Sequence, residues 1–413
     1  MAKDTLVLQG NQHCDIVVEP GRLSGSIEAI PSKSYVQRIY IAAALADETT
    51  TVTRSDYLSN DMLAALLALE SAGAGFRISP NFDTIIPLGT DAHKLSTVNC
   101  GESGTVARLL LPVLTAFFEG GILTGEGSLL KRPFEALCKT LEQGGGIHFD
   151  QYSLPVCWEG CLQPGTYHLP GNESSQYISG LLFALPLLPE DSIVVLTSPL
   201  QSVGYVDMTL DILRQFGITV EFDESNTYYI RGDQQYRSPG DITAEGDWSN
   251  SAFWLAANVE VVGLKADSLQ RDRSFLQVRD QAVIDATDIP DLVPILSVCA
   301  ALRTGMTRIC GIKRLRLKES DRIETTLAML EALGCKAELC SDSKDEIVIH
   351  GSGTIPGGET VDGANDHRIV MAAAIAASFA EAPVAISGAQ AVAKTYAHFF
   401  SDFQDLGGKV YVV

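Results

Sequence analysis

Apolar positions along the chain recur in one compound pattern: an amphipathic helix that stops at glycine, followed at once by a strand. The pattern is carried by LAALLALESAGAGFRI around Gly73, FEALCKTLEQGGGIHF around Gly145, MTLDILRQFGITVEF around Gly217, TTLAMLEALGCKAEL around Gly334 and FFSDFQDLGGKVYVV around Gly408. Glycine at the stop supplies the left-handed cap that other residues adopt only with strain. Gly73, Gly145 and Gly217 follow each other at 72 residues, and Gly334 and Gly408 lie 74 apart. A fixed period of this kind marks a repeated architecture. The gap from Gly217 to Gly334 is 117 residues, too long for one unit and short for two, which places a degenerate copy near 275–285 and brings the count to six.

A second element repeats with the first, a polar or glycine-bearing loop that opens a long Ala, Leu and Ile helix. It reads as PSKSYVQRIYIAAALA from Pro31, GESGTVARLLLPVLTAFF from Gly101, GNESSQYISGLLFALPLL from Gly171, GDWSNSAFWLAANV from Gly246, IPDLVPILSVCAAL from Ile289 and NDHRIVMAAAIAASFA from Asn365. Helices apolar on nearly every side belong inside a domain. Their starts, rich in Ser, Asp, Asn and Gly, combine unpaired backbone donors with the positive end of the helix dipole, so each is a potential anion site. Alternating runs such as ITVEF with NTYYIRG, and AELCSDSKDEIVIHG, predict hairpins. The class is therefore mixed α/β: three units before about residue 243 and three after it suggest two similar domains, with the site expected in the cleft between them. The strand-like first 30 residues stand outside the repeat, and periodicity leaves open which half they join.

Charge narrows the ligand. The chain of 413 residues carries 30 Lys and Arg against 51 Asp and Glu, a formal net charge of −21. Such a balance excludes a nucleic-acid coat, which needs a basic surface. The longest uncharged apolar runs, 178–189 and 369–380, fall short of the roughly 20 residues of a membrane span. The opening MAKDTLVLQG lacks the features of a signal peptide, so a cytoplasmic protein is expected. Nine scattered cysteines without paired CxxC spacing read as free thiols, and Cys157 with Cys161 find no second ligand pair for zinc.

In so acidic a chain the basic residues at helix starts stand out: Lys33, Arg38, Arg108, Arg132, His367 with Arg368, and Lys394. The densest group is RLRLKESDR, 314–322, where Lys318 and Arg322 share a face if a helix has already begun. Arg and Lys gathered in this way suit a small, multiply anionic ligand. Asp291 in IPDLVP and Glu319 beside Lys318 are candidates for proton transfer, although Asp291 could equally cap its helix. GxSxG, Walker and HExxH motifs are missing from the sequence, which removes the common hydrolase, NTPase and zinc-protease templates.

These strings, in the same order along nearly the whole chain, resemble the 5-enolpyruvylshikimate-3-phosphate synthase family: SKSYVQR from Ser32, ESGTVARLL from Glu102, LLKRPFEAL from Leu129, SSQYISGLL from Ser174, VGYVDMT from Val203, GDWSNSAFWLAA from Gly246, IPD at 289–291, LKESDR at 317–322, NDHRIVMA from Asn365 and AKTY from Ala393. The resemblance implies two domains of three α/β units with buried parallel helices, an inside-out α/β barrel, spanning 31–243 and 1–30 plus 244–413. It implies transfer of the carboxyvinyl group of phosphoenolpyruvate to shikimate 3-phosphate with release of phosphate, by a monomer and without metal or organic cofactor. Shikimate 3-phosphate would be held by Lys33, Ser34, Arg38, Ser174, Ser175, Gln176, Ser202, Tyr205, Asp291 and Lys318. Phosphoenolpyruvate would lie among Lys33, Gly104, Arg132, Gln176, Arg322, Arg368 and Lys394, where glyphosate would compete with it. Asp291, Glu319 and Lys33 would move protons.

Two positions depart from the family pattern. Glu102 stands where the family usually has Asn, which brings a negative charge beside the expected donor pocket, and Phe134 replaces the usual Met after Arg-Pro. Arg314 falls where members vary and stays outside the expected site. Two alternatives remain beside the main reading. One is a UDP-N-acetylglucosamine enolpyruvyltransferase, which would need a catalytic cysteine on a loop where this chain offers only Cys138 inside a predicted helix. The other is a silent anion-binding homologue.

Overall fold

The computed structural model describes residues 13–54, 57–89, 97–223, 226–340, 343 and 345–413. The chain divides into two compact units, one running from Pro31 to Glu245 and the other joining the segment up to Ile30 to Gly246–Val413. Glu245 still belongs to the first, since its carbonyl accepts from the Ser32 N–H at 2.8 Å, whereas the Asp247 N–H donates to the Ile30 carbonyl.

In the unit from Pro31 to Glu245 three sheets share one pairing scheme: a short parallel edge strand, a central strand, then two antiparallel strands. Thr97–Asn99 pairs parallel with Gly120–Thr124, which pairs antiparallel with Val156–Gly160, which pairs antiparallel with Ile147–Phe149. Thr166–Leu169, Ser192–Leu196, Thr227–Ile230 and Val220–Asp223 repeat it. The third sheet takes Thr50–Thr53, Phe82–Ile86 and Gly75–Ile78 from the beginning of the unit and its parallel edge, Asp241–Thr243, from the end. Chain ends of the unit thus close its own repeat.

The helices behind these sheets are of two kinds. Asn60–Ser71, Glu135–Glu142 and Val203–Gln215 bury one face and expose the other. Lys33–Ala44, Gly104–Phe117 and Ser175–Ala184 are enclosed: every residue from Tyr35 to Ala44 is buried. Gly104–Phe117 and Ser175–Ala184 approach closely at a point the sequence prepares. Pro112 supplies no N–H to the Arg108 carbonyl four residues back, and a Cβ on Gly180 would lie 2.6 Å from that oxygen, so glycine alone fits.

The second unit repeats the scheme with Val283–Asp285, Thr304–Cys310, Glu346–Ser352 and Lys336–Leu339, and again with Thr360–Asp362, Val384–Ser387, Ile16–Glu19 and Lys409–Val412. Its enclosed helices are Trp248–Ala256, Val293–Ala301 and His367–Ser378, the last buried along its whole length. The copy expected near 275–285 is present in reduced form. It holds Trp248–Ala256, the short helix Phe275–Val278 and a two-stranded sheet of Glu260–Val262 with Ser26–Glu28. The chain then passes directly into the edge strand of the next sheet, which accounts for the shortened spacing.

Four of the five glycine stops have positive φ as expected, at Gly73, Gly145, Gly217 and Gly334. The fifth falls one residue earlier than the spacing predicts: Gly407 takes φ 96°. Gly408 is glycine for another reason, because its Cβ would meet the Phe403 ring at 2.2 Å. Among the described residues no helix is long and apolar enough to cross a membrane.

Candidate active site

In the second unit a single guanidinium organises the chemistry. Asp321 caps the helix Arg322–Ala332 by accepting from the N–H groups of Ile323 and Glu324, which fixes Arg322 at its first position, 1% exposed. Arg322 donates through Nε and Nη2 to both oxygens of Asp366, at 2.7 and 3.1 Å. Its Nη1 donates to Asp291 at 2.7 Å and its Nη2 to Glu319. Asp366 is itself the cap of His367–Ser378, accepting from the Arg368 N–H at 2.9 Å and from the Ser320 hydroxyl. One buried cation therefore ties three segments together through carboxylates.

Asp291 is the centre of that cluster. It lies in the 3-10 turn Pro290–Leu292 and makes no helix cap; its carboxylate faces Lys318 at 3.1 Å, Arg322 at 2.7 Å and Arg368 at 3.8 Å. Burial alone would raise its pKa, but Lys318, Arg368 and Arg322 outweigh it and hold the carboxyl well below the usual carboxylate range. Lys318 moves the other way from its ordinary value: burial lowers its pKa, against the pull of Asp291. The expectation that Lys318 and Arg322 share a helix face fails, because Lys318 is extended at the end of the 3-10 turn Lys313–Leu317 and the helix begins only at Arg322. They converge on Asp291 from different elements.

Arg368 is 4% exposed, packs over the Phe253 ring at 5.9 Å, and leaves Nε and Nη1 without a hydrogen-bond partner among the described residues. Buried donors of a cation left open in this way await an acceptor. Lys394 reaches the same helix start from the turn Ala389–Lys394, donating to the Asn365 carbonyl at 2.8 Å. Asp272 stands behind the cluster, its carboxyl pushed up to about 7 by burial and then by Asp291 and Asp247, with Ser249 and Arg368 pulling the other way.

In the unit Pro31–Glu245 the expected residues gather at the starts of the enclosed helices. Arg38, 1% exposed, donates from Nε to Thr209 Oγ1 at 2.8 Å, from Nη1 to the Ser34 carbonyl at 2.8 Å and from Nη2 to the Tyr205 carbonyl at 3.1 Å, and it lies over the Tyr205 ring. Among the described residues no carboxylate pairs with it. Burial lowers its pKa to about 10, with Tyr205 and Tyr35 opposing, so it remains charged at neutral pH. A buried cation with only neutral partners carries a desolvation cost that an anionic ligand would offset. Ser202, at left-handed φ 56°, opens Val203–Gln215 and so leads the chain into Tyr205.

Gln176 lies beyond Ser174, whose hydroxyl caps Ser175–Ala184 by accepting from the Gln176 N–H. The Gln176 side chain donates to Thr105 Oγ1 at 2.8 Å and accepts from Arg108 Nη1 at 3.0 Å, which joins two helix starts. Arg108 is sandwiched near the rings of Phe134 and Tyr177, giving the Phe134 departure a packing role. Gly104 and Arg132 are in direct contact: a Cβ on Gly104 would lie 2.6 Å from Arg132 Nη1. Arg132 follows the 3-10 turn Gly127–Lys131 and precedes, but does not open, the helix Glu135–Glu142. Glu102 folds its carboxyl against that turn, 2.5 Å from where a Cβ on Gly127 would be, and left-handed φ 51° also favours glycine there. Lys33 pairs with Asp61 at 2.9 Å.

Asp366, Asp61, Thr209, Thr105 and Asp272 were not among the expected site residues. Asp366 and Asp61 both sit where helices start, a position that by itself signals only capping. Cys138 is buried inside Glu135–Glu142 with its thiol pushed up to about 12 by burial, unsuited to nucleophilic work.

Comparison with known proteins assigns the class first. The enolpyruvyl transferase NikO from Streptomyces tendae superposes with a TM-score of 0.77 over 98% of this chain and 99% of its own, at 16% identity, so the fold is that of the enolpyruvyl transferases. A structure of EPSP synthase from Acinetobacter baumannii gives a TM-score of 0.79 at 25% identity over 97% of this chain and 100% of that one. The sequence pattern of EPSP synthase (3-phosphoshikimate 1-carboxyvinyltransferase) matches residues 17–282 and 265–403. Relatives named 3-phosphoshikimate 1-carboxyvinyltransferase include those of Clostridium acetobutylicum, 37% identical over 96% of this chain and 98% of the relative, and Clostridium perfringens, 34% identical over 95% and 98%. The chain belongs to the EPSP synthase family.

Proposed function

We propose that this protein transfers the carboxyvinyl group of phosphoenolpyruvate to the 5-hydroxyl of shikimate 3-phosphate and releases phosphate. The observation that carries the reading is the cluster of Asp291 and Glu319 with Lys318, Arg322 and Arg368, in a chain related over nearly its full length to the named transferases. Residues of both units would serve one reaction. Lys33, Ser34, Arg38, Ser174, Ser175, Gln176, Ser202, Tyr205, Asp291 and Lys318 would hold the acceptor, and Lys33, Gly104, Arg132, Gln176, Arg322, Arg368 and Lys394 the donor.

Asp291, anionic and next to Lys318, is suited to accept the proton of the 5-hydroxyl as its oxygen attacks C2 of phosphoenolpyruvate. Glu319 is suited to deliver a proton to the methylene carbon, with Lys33 assisting, and a tetrahedral intermediate results. Glu319, left as a carboxylate, then takes back one methyl proton, which re-forms the double bond as phosphate leaves, its charge offset by the surrounding cations. The same reading includes a monomer acting in the cytoplasm, with glyphosate competing for the donor position.

The test is phosphate release from phosphoenolpyruvate with shikimate 3-phosphate or UDP-N-acetylglucosamine as acceptor. Release with the first alone is expected. Release only with the nucleotide sugar would overturn the substrate assignment, and tight binding of shikimate 3-phosphate with no release would point to a silent homologue.

A further inference from the structure

Serines open several helices of the unit Pro31–Glu245, but they behave differently. Ser59 and Ser174 accept from first-turn N–H groups, as capping serines do. Like Ser32 and Ser202 at their own helix starts, Ser103, at the start of Gly104–Phe117 and 1% exposed, makes no capping bond. Its hydroxyl accepts from Gln37 Nε2 at 3.1 Å. The same Nε2 donates to the backbone carbonyl of Asp61 at 3.1 Å, and the Asp61 carboxylate holds Lys33.

Gln37 is fully buried, and its Oε1 has no hydrogen-bond partner among the described residues. A buried amide satisfied at one end only is a poor choice for stability, since an apolar side chain of the same shape would avoid the unsatisfied acceptor. What Gln37 contributes lies in the two contacts of its Nε2.

We infer that Gln37 is a positioning residue for the phosphoenolpyruvate end of the reaction: by engaging the Ser103 hydroxyl it keeps the first-turn amides of Gly104–Phe117 open to the anionic donor. A capping hydroxyl and a ligand oxygen compete for the same N–H groups, so a serine free to cap has to be displaced before the donor binds. The location is consistent with this role, because Gly104 touches Arg132 and Gln37 also braces the segment carrying the partner of Lys33. The inference rests on the proposed activity for its kinetic half and on helix capping alone for its structural half.

The test is a cycle of Gln37→Leu and the double variant Gln37→Leu/Ser103→Ala, with melting curves to verify folding and Gln37→Met as the substitute if Gln37→Leu does not fold. Gln37→Leu should raise the KM for phosphoenolpyruvate by about fivefold, the factor a typical cap bond is worth, with little change in kcat or in the KM for shikimate 3-phosphate. The double variant, which has no hydroxyl to cap the helix, should recover the donor KM. An equal rise in both variants, or a loss spread over both substrates and kcat, would overturn the inference. Hydrogen exchange of the amides at 104–106 reads the structural half without turnover: slower in Gln37→Leu and restored in the double variant is the expected result, and no change in either contradicts it. A wild-type protein that releases no phosphate would contradict the proposed activity and leave this exchange measurement standing.

Discussion

The two charge clusters are built on opposite principles. Around Asp291 every cation has a carboxylate nearby, with Arg322 answering Asp291, Glu319 and Asp366 at once. Around Arg38 the partners are neutral: a threonine hydroxyl and two backbone carbonyls. The first arrangement balances most of its charge within the protein, with two Arg368 donors left open, and holds the Asp291 carboxyl in its anionic form. The second keeps a buried positive charge in reserve, which favours binding of an anion over stability of the empty protein. Substitutions that remove a cation should therefore act differently in the two places.

The largest effect is expected at Arg322. Arg322→Met leaves Asp291, Glu319 and Asp366 facing one another without their shared cation, and unfolding by denaturant should show a loss of about 3–5 kcal/mol, the usual cost of removing one partner from a buried ion pair. A loss below ~1 kcal/mol would mean that Asp291, Glu319 and Asp366 do not depend on Arg322 for their charge balance. Asp291→Asn keeps the shape but gives up the proton acceptor; kcat should fall by at least about a hundredfold while the melting curve stays cooperative. Unchanged turnover would remove Asp291 from the chemistry. Gly104→Ala drives a methyl group into Arg132, and the KM for phosphoenolpyruvate should rise by about tenfold, with the KM for shikimate 3-phosphate unaffected. A rise in both constants would mean that the Gly104–Arg132 contact does not separate donor from acceptor.

The smallest effect concerns Asp272. Its folded pKa of about 7 lies above the ordinary carboxyl value, so the folded protein keeps a proton that the unfolded chain releases from about pH 4 upwards. This contribution to stability is present at low pH and lost as pH rises towards 7, amounting to about 1 kcal/mol between pH 6 and 7. Asp272→Asn should flatten the stability profile in that window. An unaltered slope would show that Asp272 is ionised throughout.

Much of the fold was legible because it is periodic. Glycines at a spacing of 72 residues and helices apolar all round are direct consequences of stacked α/β units, and both survive in the structure at Gly73, Gly145 and Gly217. The reduced unit was harder to place because its sheet takes Ser26–Glu28 from more than two hundred residues away, a pairing that no local pattern announces. The cations at helix starts, with Asp291 and Glu319, stood out from the residues themselves and the resemblance gave them roles, but spacing misjudged how Lys318 meets Arg322: the segment before Arg322 is irregular, and residue numbers four apart carry no geometry outside a helix. Asp366, Asp61 and Gln37 were missed for a related reason. Each occupies a position that sequence alone explains by capping or burial, and only their long-range hydrogen bonds reveal what else they do.

The contrast between the clusters is tested most directly by titrating shikimate 3-phosphate into the wild-type protein and into Arg38→Met by calorimetry, with thermal melts of both. If Arg38 holds its charge for the acceptor, affinity should drop by at least about thirtyfold, as for a lost charge-assisted hydrogen bond, while the melting temperature of the unliganded variant stays level or rises. Equal affinity accompanied by a lower melting temperature would show that Arg38 serves the fold and not the ligand.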